Sequence, residues 1–339
     1  MTGKIKIEGI NLSEKRVAVN FWNLPNTNET LIRFCRVLTE HQININFLSA
    51  GGDKEDGWII CCVAENDQDL LKRLIGLELG ITTYVEVVPS IGLLTIFPHK
   101  NSFKFFGITL RAFLESELPL CGLTSSISAF SFVTEFNLFK KAVLKLQKFL
   151  KVRPDEIYYK EELNDWKEEL QTSAVYLESR IKTYGFKEYL GLCLMELCLN
   201  RKNLTECSLI IEDLEEADIR FEQVSIQKKA GNCIRIYILF EKRWEERTVN
   251  AFETMVQKEI LISLNIISPV GLICFYGPHF GDRYGIADAA LISLKTEDIP
   301  IIVIGCSSSS IYLVFQEEMT DRAKRILEQE FEVPRHVKK

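Results

Sequence analysis

Histidine is scarce in this chain, 4 in 339 residues, and so are glycine and proline, at 18 and 9. Together the last two make about 8% of the residues, below the roughly 12% of average usage, which excludes collagen-like and linker-rich chains. No Cys-x-x-Cys or other closely spaced Cys or His ligand pair occurs, so neither a metal nor any other cofactor is expected. Gly-x-Ser-x-Gly, His-Glu-x-x-His, a Cys/His arrangement in a motif context and a Gly-rich phosphate loop between strand and helix are all missing, which removes support for enzymes of those mechanisms. The first residues, Met1-Thr-Gly-Lys-Ile-Lys-Ile-Glu8, hold no apolar secretory core. One stretch invites a membrane reading, Ile260 to Gly277, but it carries Asn265, Ser268, Pro269 and Gly271 and begins with alternation, as two consecutive buried strands would. With 41 Lys and Arg against 47 Asp and Glu the net charge is −6, so no whole-chain attraction to nucleic acid or an anionic membrane is expected.

What is present is an ordinary globular composition, 47% hydrophobic and 26% charged, long enough for two or three domains at about 150 residues each. The ten cysteines lie mostly in apolar runs such as Ile59-Ile-Cys-Cys-Val63, which suits small core residues in a reducing cytoplasm. The organising feature is an internal duplication. Lys4-Ile-Lys-Ile-Glu-Gly-Ile10 matches Arg180-Ile-Lys-Thr-Tyr-Gly-Phe186, an offset of 176 residues that also lays Val17 on Cys193, Phe34 on Ile210 and Trp58–Val63 on Ile234–Leu239. Near the ends of the halves, Thr124-Ser-Ser-Ile-Ser-Ala-Phe-Ser-Phe-Val133 falls on Gly305-Cys-Ser-Ser-Ser-Ser-Ile-Tyr-Leu-Val314 at an offset of 181.

Within each half, period-2 and period-3.6 patterns alternate in a βαββαβ order that then begins again. This gives an α+β fold class with four ferredoxin-like modules in two duplicated halves. Module 1 spans 11–90, module 2 spans 91–153, module 3 spans 187–269 and module 4 spans 270–333. Modules 2 and 4 lack a fourth strand, which segments 4–10 and 180–186 are expected to supply, since an unpaired sheet edge is a liability. Between the halves, 154–179 is charged, with Tyr158, Leu163, Trp166, Leu170 and Val175 spaced as on one face of a linker helix.

Gly285-Ile-Ala-Asp-Ala-Ala-Leu-Ile-Ser-Leu294, then Asp298-Ile-Pro-Ile-Ile-Val-Ile-Gly-Cys-Ser-Ser-Ser-Ser-Ile-Tyr-Leu-Val-Phe315 and the helix from Asp321 to Phe331 resemble the second ACT domain of aspartate kinases. Leu24-Pro-Asn-Thr-Asn-Glu29 and Gln42-Ile-Asn-Ile-Asn46 are similar to the Val-Pro-Asp-Arg-Pro-Gly and Gly-Ile-Asn-Val-Asp segments of the first. Nothing resembles the kinase domain that precedes these modules in that family. The resemblance implies a non-catalytic, allosteric regulator that binds an amino acid or similar small molecule where modules pair, acting on a regulated enzyme or other protein. The physics agrees, because a loop running into a helix N-terminus offers free amides and a positive dipole end to a carboxylate.

Carried over by position, the implied ligand-binding residues are Asn26, Thr27, Asn28, Asn44, Asn46 and Ser49 in module 1, and Lys202, Asn203, Arg220, Glu222 and Ser225 in module 3. Module 2 gives Asn101, Ser102 and Ser125, and module 4 gives Asp282, Arg283 and Ser307, with His99 and His279 in the matching loops. No catalytic residue is expected. Ser307–Ser310 reads first as a strand-entry turn satisfying its own backbone, ahead of a phosphate or carboxylate cradle, and the two loop histidines as exposed polar loop residues rather than an acid/base or metal pair. Asn26 stands where the family has Asp, and Asn28-Glu29 where it has Pro-Gly, so an interaction scaffold that has lost its ligand is the alternative, and an enzyme with a site between modules a third. Module 1 is expected to pair with module 3 and module 2 with module 4, within the chain or in a homodimer.

Overall fold

The computed structural model describes residues 4–52, 56–81, 84–116, 118–159, 180–229, 231–278, 280–281, 283–307 and 310–333. In the first half the elements are β1 (Ile5–Lys6), β2 (Gly9–Leu12), β3 (Arg16–Leu24), α1 (Thr27–Glu40), β4 (Phe47–Gly51), β5 (Gly57–Ala64), α2 (Gln68–Leu74), β6 (Val85–Phe97), α3 (Phe103–Glu115), β7 (Gly122–Ser125), β8 (Phe130–Glu135), α4 (Phe139–Phe149), β9 (Leu150–Lys151) and β10 (Ile157–Tyr159). The second half holds β11 (Phe186–Asn200), α5 (Leu204–Asp213), β12 (Phe221–Lys228), β13 (Cys233–Glu241), α6 (Glu245–Gln257), β14 (Leu261–Tyr276), α7 (Ile286–Thr296), β15 (Val303–Ser307), β16 (Ser310–Gln316) and α8 (Glu317–Glu330).

The chain divides into two units. The first comprises Met1–Lys15, Ser90–Tyr159 and Gly191–Val270, and the second Arg16–Pro89, Lys160–Leu190 and Gly271–Lys339. In the first unit the strands run in the order β10-β2-β6-β8-β7-β12-β13-β11-β14. In the second the order is β6-β3-β5-β4-β15-β16-β14-β11. The long strands β6, β11 and β14 each contribute one part to each unit. Ile260 to Gly277, read from sequence as two strands, thus contains one continuous strand whose two parts serve different units.

Alternation along the strands decides which face meets the helices. In β13, Ile234, Ile236, Ile238 and Phe240 join the apolar cluster that includes residues of α3, α4, α5 and α6. Arg235, Tyr237 and Leu239 take the other face, as the strand period of two requires. The second unit repeats the plan: Leu48 and Ala50 of β4 share a cluster with Phe34, Cys35 and Leu38 of α1 and Ala290, Leu291 and Leu294 of α7.

The module pairing differs from the expectation. In the second unit β4 pairs antiparallel with β15, Val303 opposite Gly51 and Gly305 opposite Ser49. In the first, β7 pairs antiparallel with β12, Thr124 opposite Ser225. Segments expected as modules 1 and 4 therefore lie together, as do those of 2 and 3, and the expected pairing of 1 with 3 and 2 with 4 is corrected. Sequence period specifies a strand's faces but not its edge partner, because every strand offers the same backbone groups along its edge. The 154–179 segment is corrected where it is described. Pro154–Glu156 forms a single turn and Ile157–Tyr159 a strand parallel to β2, with Ile157 opposite Ile10. The remaining 160–179 lies outside the described residues. Segment 4–10 reaches the sheet, displaced by a few residues, through Gly9–Leu12 on β6.

Helix pairing follows strand pairing. Gly107 of α3 lies against α5, where an added Cβ would sit 2.5 Å from the Ser208 carbonyl oxygen and 2.4 Å from Glu212 Cγ. Beside it Arg111 Nη1 reaches Glu212 Oε1 at 3.3 Å. Gly107→Val is expected to destabilise the protein by about 1–3 kcal/mol through overpacking, whereas Gly76→Ala, whose Cβ meets nothing described within 4 Å, should not lower the urea midpoint. Equal midpoints for the two variants would show that α3 and α5 are not in close contact.

Candidate functional site

The strand pairing brings the loops that enter α1, α3, α5 and α7 to the other member of the pair, and a side-chain donor reaches a carbonyl at each of these junctions. At the start of α1, Asn28 Nδ2 donates to Ile301 O at 3.1 Å. Before α3, Asn101 Nδ2 donates to Phe221 O at 2.7 Å. Before α5, Arg201 Nη2 donates to Leu118 O at 2.9 Å. Before α7, the bond runs the other way: Asn44 Nδ2, ahead of β4, donates to Gly281 O at 2.8 Å.

The α7 junction holds a cleft. It is lined by Thr39, Asn44, Ile45, Phe280, Arg283, Gly285, Ile286, Ala287, Asp288, Cys306 and Ile311, and has roughly 300 Å³ of open space counting its mouth. The centre of a water-sized sphere can move over only about 10 Å³ of it, room for about one water. Gly285 caps α7 in the left-handed region, φ 84°, and among the described residues no side chain caps the helix start. The left-handed backbone favours glycine, and a Cβ there would lie 3.1 Å from Thr39 Cγ2 of α1, a tight contact that the threonine side chain would have to relieve. These uncapped amides and the helix dipole favour a carboxylate. Asp288 in the first turn of α7 is held by Arg36 Nε of α1 at 3.2 Å. Burial raises the Asp288 carboxyl above its usual range, and the Arg36 guanidinium works against that shift. The floor is apolar, with the Cys306 thiol pushed up to about 12 by burial. Among the described residues no group of three or more His, Cys, Asp and Glu is placed to hold a metal, and no helix is long and apolar enough to cross a membrane.

The α3 junction has the same construction but is filled by the protein itself. Ser102 Oγ accepts from the Phe105 N–H at 3.0 Å, and Glu215 Oε2 accepts from the Lys104 N–H at 3.2 Å. Arg220 Nη1 holds the other Glu215 oxygen at 2.9 Å. His99 is buried here against Phe130 and Phe221, ring centroids 4.8 and 5.0 Å away. Its Nδ1 accepts from the Asn101 N–H and its Nε2 donates to Ser126 O, each at 3.0 Å. Both ring nitrogens are thus used by the neutral form, and burial lowers the imidazole to about 4.

With this geometry in view, the chain can be set beside known structures. Its fold is similar to that of part of an aspartate kinase. One match is the crystal structure of aspartate kinase from Synechocystis, with a TM-score of 0.78 at 11% identity over 96% of this chain. The chain spans 55% of the length of that kinase. The ligand-free regulatory subunit of aspartate kinase from Thermus thermophilus also matches, at 13% identity and a TM-score of 0.40, over 44% of this chain and 99% of its own. No protein-family model and no curated protein matches the sequence. The Synechocystis match corrects the expectation of a non-enzyme, because the protein matched over nearly the whole chain is an enzyme.

Of the residues expected from sequence, the α7 cleft brings together Asn44 and Arg283; Asp282 and His279 lie outside the described residues. Asn28, Asn101 and Ser102 are engaged at the other junctions, and Asn203 Nδ2 donates to Ile260 O at 2.9 Å. Asn26 (left-handed, φ 53°) and Lys202 are exposed, whereas Thr27 is buried. Asn46 is half-buried and its N–H pairs with Cys62 O. Ser125 Oγ accepts from the Val224 N–H at 2.9 Å, and Ser307 Oγ lies 3.4 Å from Ser310 Oγ. Ser49 and Ser225 are fully buried at matching positions of β4 and β12, outside the apolar clusters on the helix side, and their hydroxyls lack a hydrogen-bond partner among the described residues. Glu222 is half-buried, with its carboxyl raised by burial and by Glu241. The sequence reading passed over Thr39, Ile45, Phe280, Gly285, Cys306, Asp288 and Arg36 as site residues. The Arg36–Asp288 pair spans the two halves of the chain, and no local motif signals it.

The His99 environment sets a pH dependence. Its folded pKa, near 4, lies below the unfolded value of 6.5, so between these values the unfolded chain binds the extra proton. The stabilisation is complete above about pH 6.5 and is lost as pH falls toward 4, a change on the order of 3 kcal/mol. His99→Gln should flatten the fall in urea midpoint between pH 7 and pH 4.5; an unchanged slope would show that His99 does not carry it.

Proposed function

We propose that this chain is an amino-acid-binding regulatory region of the aspartate kinase type, built from four ferredoxin-like ACT modules, whose ligand seats in the α7 cleft. The observation that carries the reading is the cleft itself, which combines uncapped helix amides, a polar side chain from the paired segment and an apolar floor. The ligand carboxylate takes the amides of α7, its amine lies toward Asp288, and its side chain lies on Ile45, Phe280 and Ile311. The enclosed volume is small, so binding moves Arg283 and Phe280 outward and shifts α7 against α1. That shift is the signal passed to the activity being regulated. The buried thiols, all free, support a reducing, cytoplasmic setting.

A thermal-shift screen against the twenty amino acids tests this reading. One or a few should raise the melting temperature saturably, adding about 2.7 kcal/mol at a hundred times Kd, and Asn44→Ala should weaken the response at least tenfold. No shift with any of the twenty sinks the proposal and favours an interaction scaffold, a reading supported by the Glu215 carboxylate that already fills the α3 junction.

A further inference from the structure

Asp288 stands at the third position of α7, where a carboxylate is favoured by the positive dipole end and can turn back onto the free amides of its own helix start. Here it does not. Both of its oxygens accept from Arg36 Nε of α1, at 3.4 and 3.2 Å, and among the described residues neither accepts from an amide of α7. The start of α3 shows the other arrangement. There Glu215 Oε2 accepts from the Lys104 N–H at 3.2 Å, while Arg220 Nη1, 2.9 Å from the other oxygen, pins the carboxylate to the helix. One arginine holds a carboxylate on a helix start, and the other holds one off.

Burial makes Arg36 the controlling partner of its pair. The Asp288 side chain is 11% exposed and that of Arg36 45%. A guanidinium released into water loses little, whereas a carboxylate left in a mostly buried place needs another donor. With Arg36 gone, the α1 charge still acting on Asp288 is that of Glu40, which repels it. The donors on its own helix are the first-turn amides, which Gly285 leaves without a side-chain cap.

We propose that Arg36 is a positioning residue that keeps the α7 amides open to a ligand carboxylate by holding Asp288 away from them. The inference rests on the ligand site proposed above. Without Arg36 the Asp288 carboxylate turns onto the helix start, and the α7 junction closes on itself as the α3 junction does. A ligand carboxylate then has to displace a bonded one, so affinity falls although Arg36 does not line the cleft.

Amide exchange in the ligand-free full chain tests the positioning directly. Arg36→Met keeps an apolar stem of similar length without the charge, and it should slow exchange at 285–288 by about tenfold. In an Asp288→Ala background the same change should leave those rates unaltered. Unslowed exchange in Arg36→Met overturns the proposal, as does equal slowing in the Asp288→Ala background. In a thermal-shift screen with the twenty amino acids, one that shifts the wild type should bind Arg36→Met at least about tenfold more weakly, and the loss should shrink below about twofold in the Asp288→Ala background. Equal or tighter binding by Arg36→Met, the result if Arg36 only competed with the ligand amine for Asp288, overturns the proposal. A wild type that answers none of the twenty is the failure of the ligand reading, and the exchange comparison then decides the role of Arg36 by itself.

Discussion

The arrangement rests on two antiparallel contacts, β4 with β15 in one unit and β7 with β12 in the other. Each joins strands that would otherwise end a small sheet, and an open edge leaves a row of amides and carbonyls without partners. Once these strands pair, the helices above them have no freedom but to pack: α1 against α7 through Thr39 and Gly285, and α3 against α5 through Gly107. The loops then arrive at the opposite strand, and a junction with amides on one side and a polar side chain on the other forms without further cost.

Equivalent geometry does not give equivalent chemistry. Before α3 the Glu215 carboxylate and Asn101 satisfy the junction from within, and Arg220 holds Glu215 in place. Before α7 glycine replaces the capping side chain, and the nearby carboxylate, Asp288, is turned to Arg36. A carboxylate already bonded to a helix amide removes the reason for a ligand to enter, since a newcomer would only exchange one charge-assisted bond for another. The same frame therefore holds one closed junction and one open one.

Much of the frame was legible because it depends on period. The offset of 176 residues, the alternation in Ile234–Phe240 and the helical face of Leu31, Phe34, Cys35 and Leu38 all follow from side-chain spacing. The choice of partner was not legible, since it is made by backbone groups common to all strands and by shape at points such as Gly107. The candidate site was legible in part. Asn44 and Arg283 sit in the segments that the repeat marks as loop and strand entry, but Arg36 reads locally as one more exposed helix charge and Asp288 as a first-turn acid. The charged stretch after Arg153 misled because helical spacing over 158–175 extends back across Ile157–Tyr159, where pairing with β2 prevails.

Each structural unit draws strands from both the N-terminal and the C-terminal part of the chain, so β4 meets β15 and β7 meets β12 across long stretches of sequence. A cut between β10 and β11 would leave all four strands with an open edge. Because one polypeptide holds both partners, each pairing is intramolecular and independent of protein concentration.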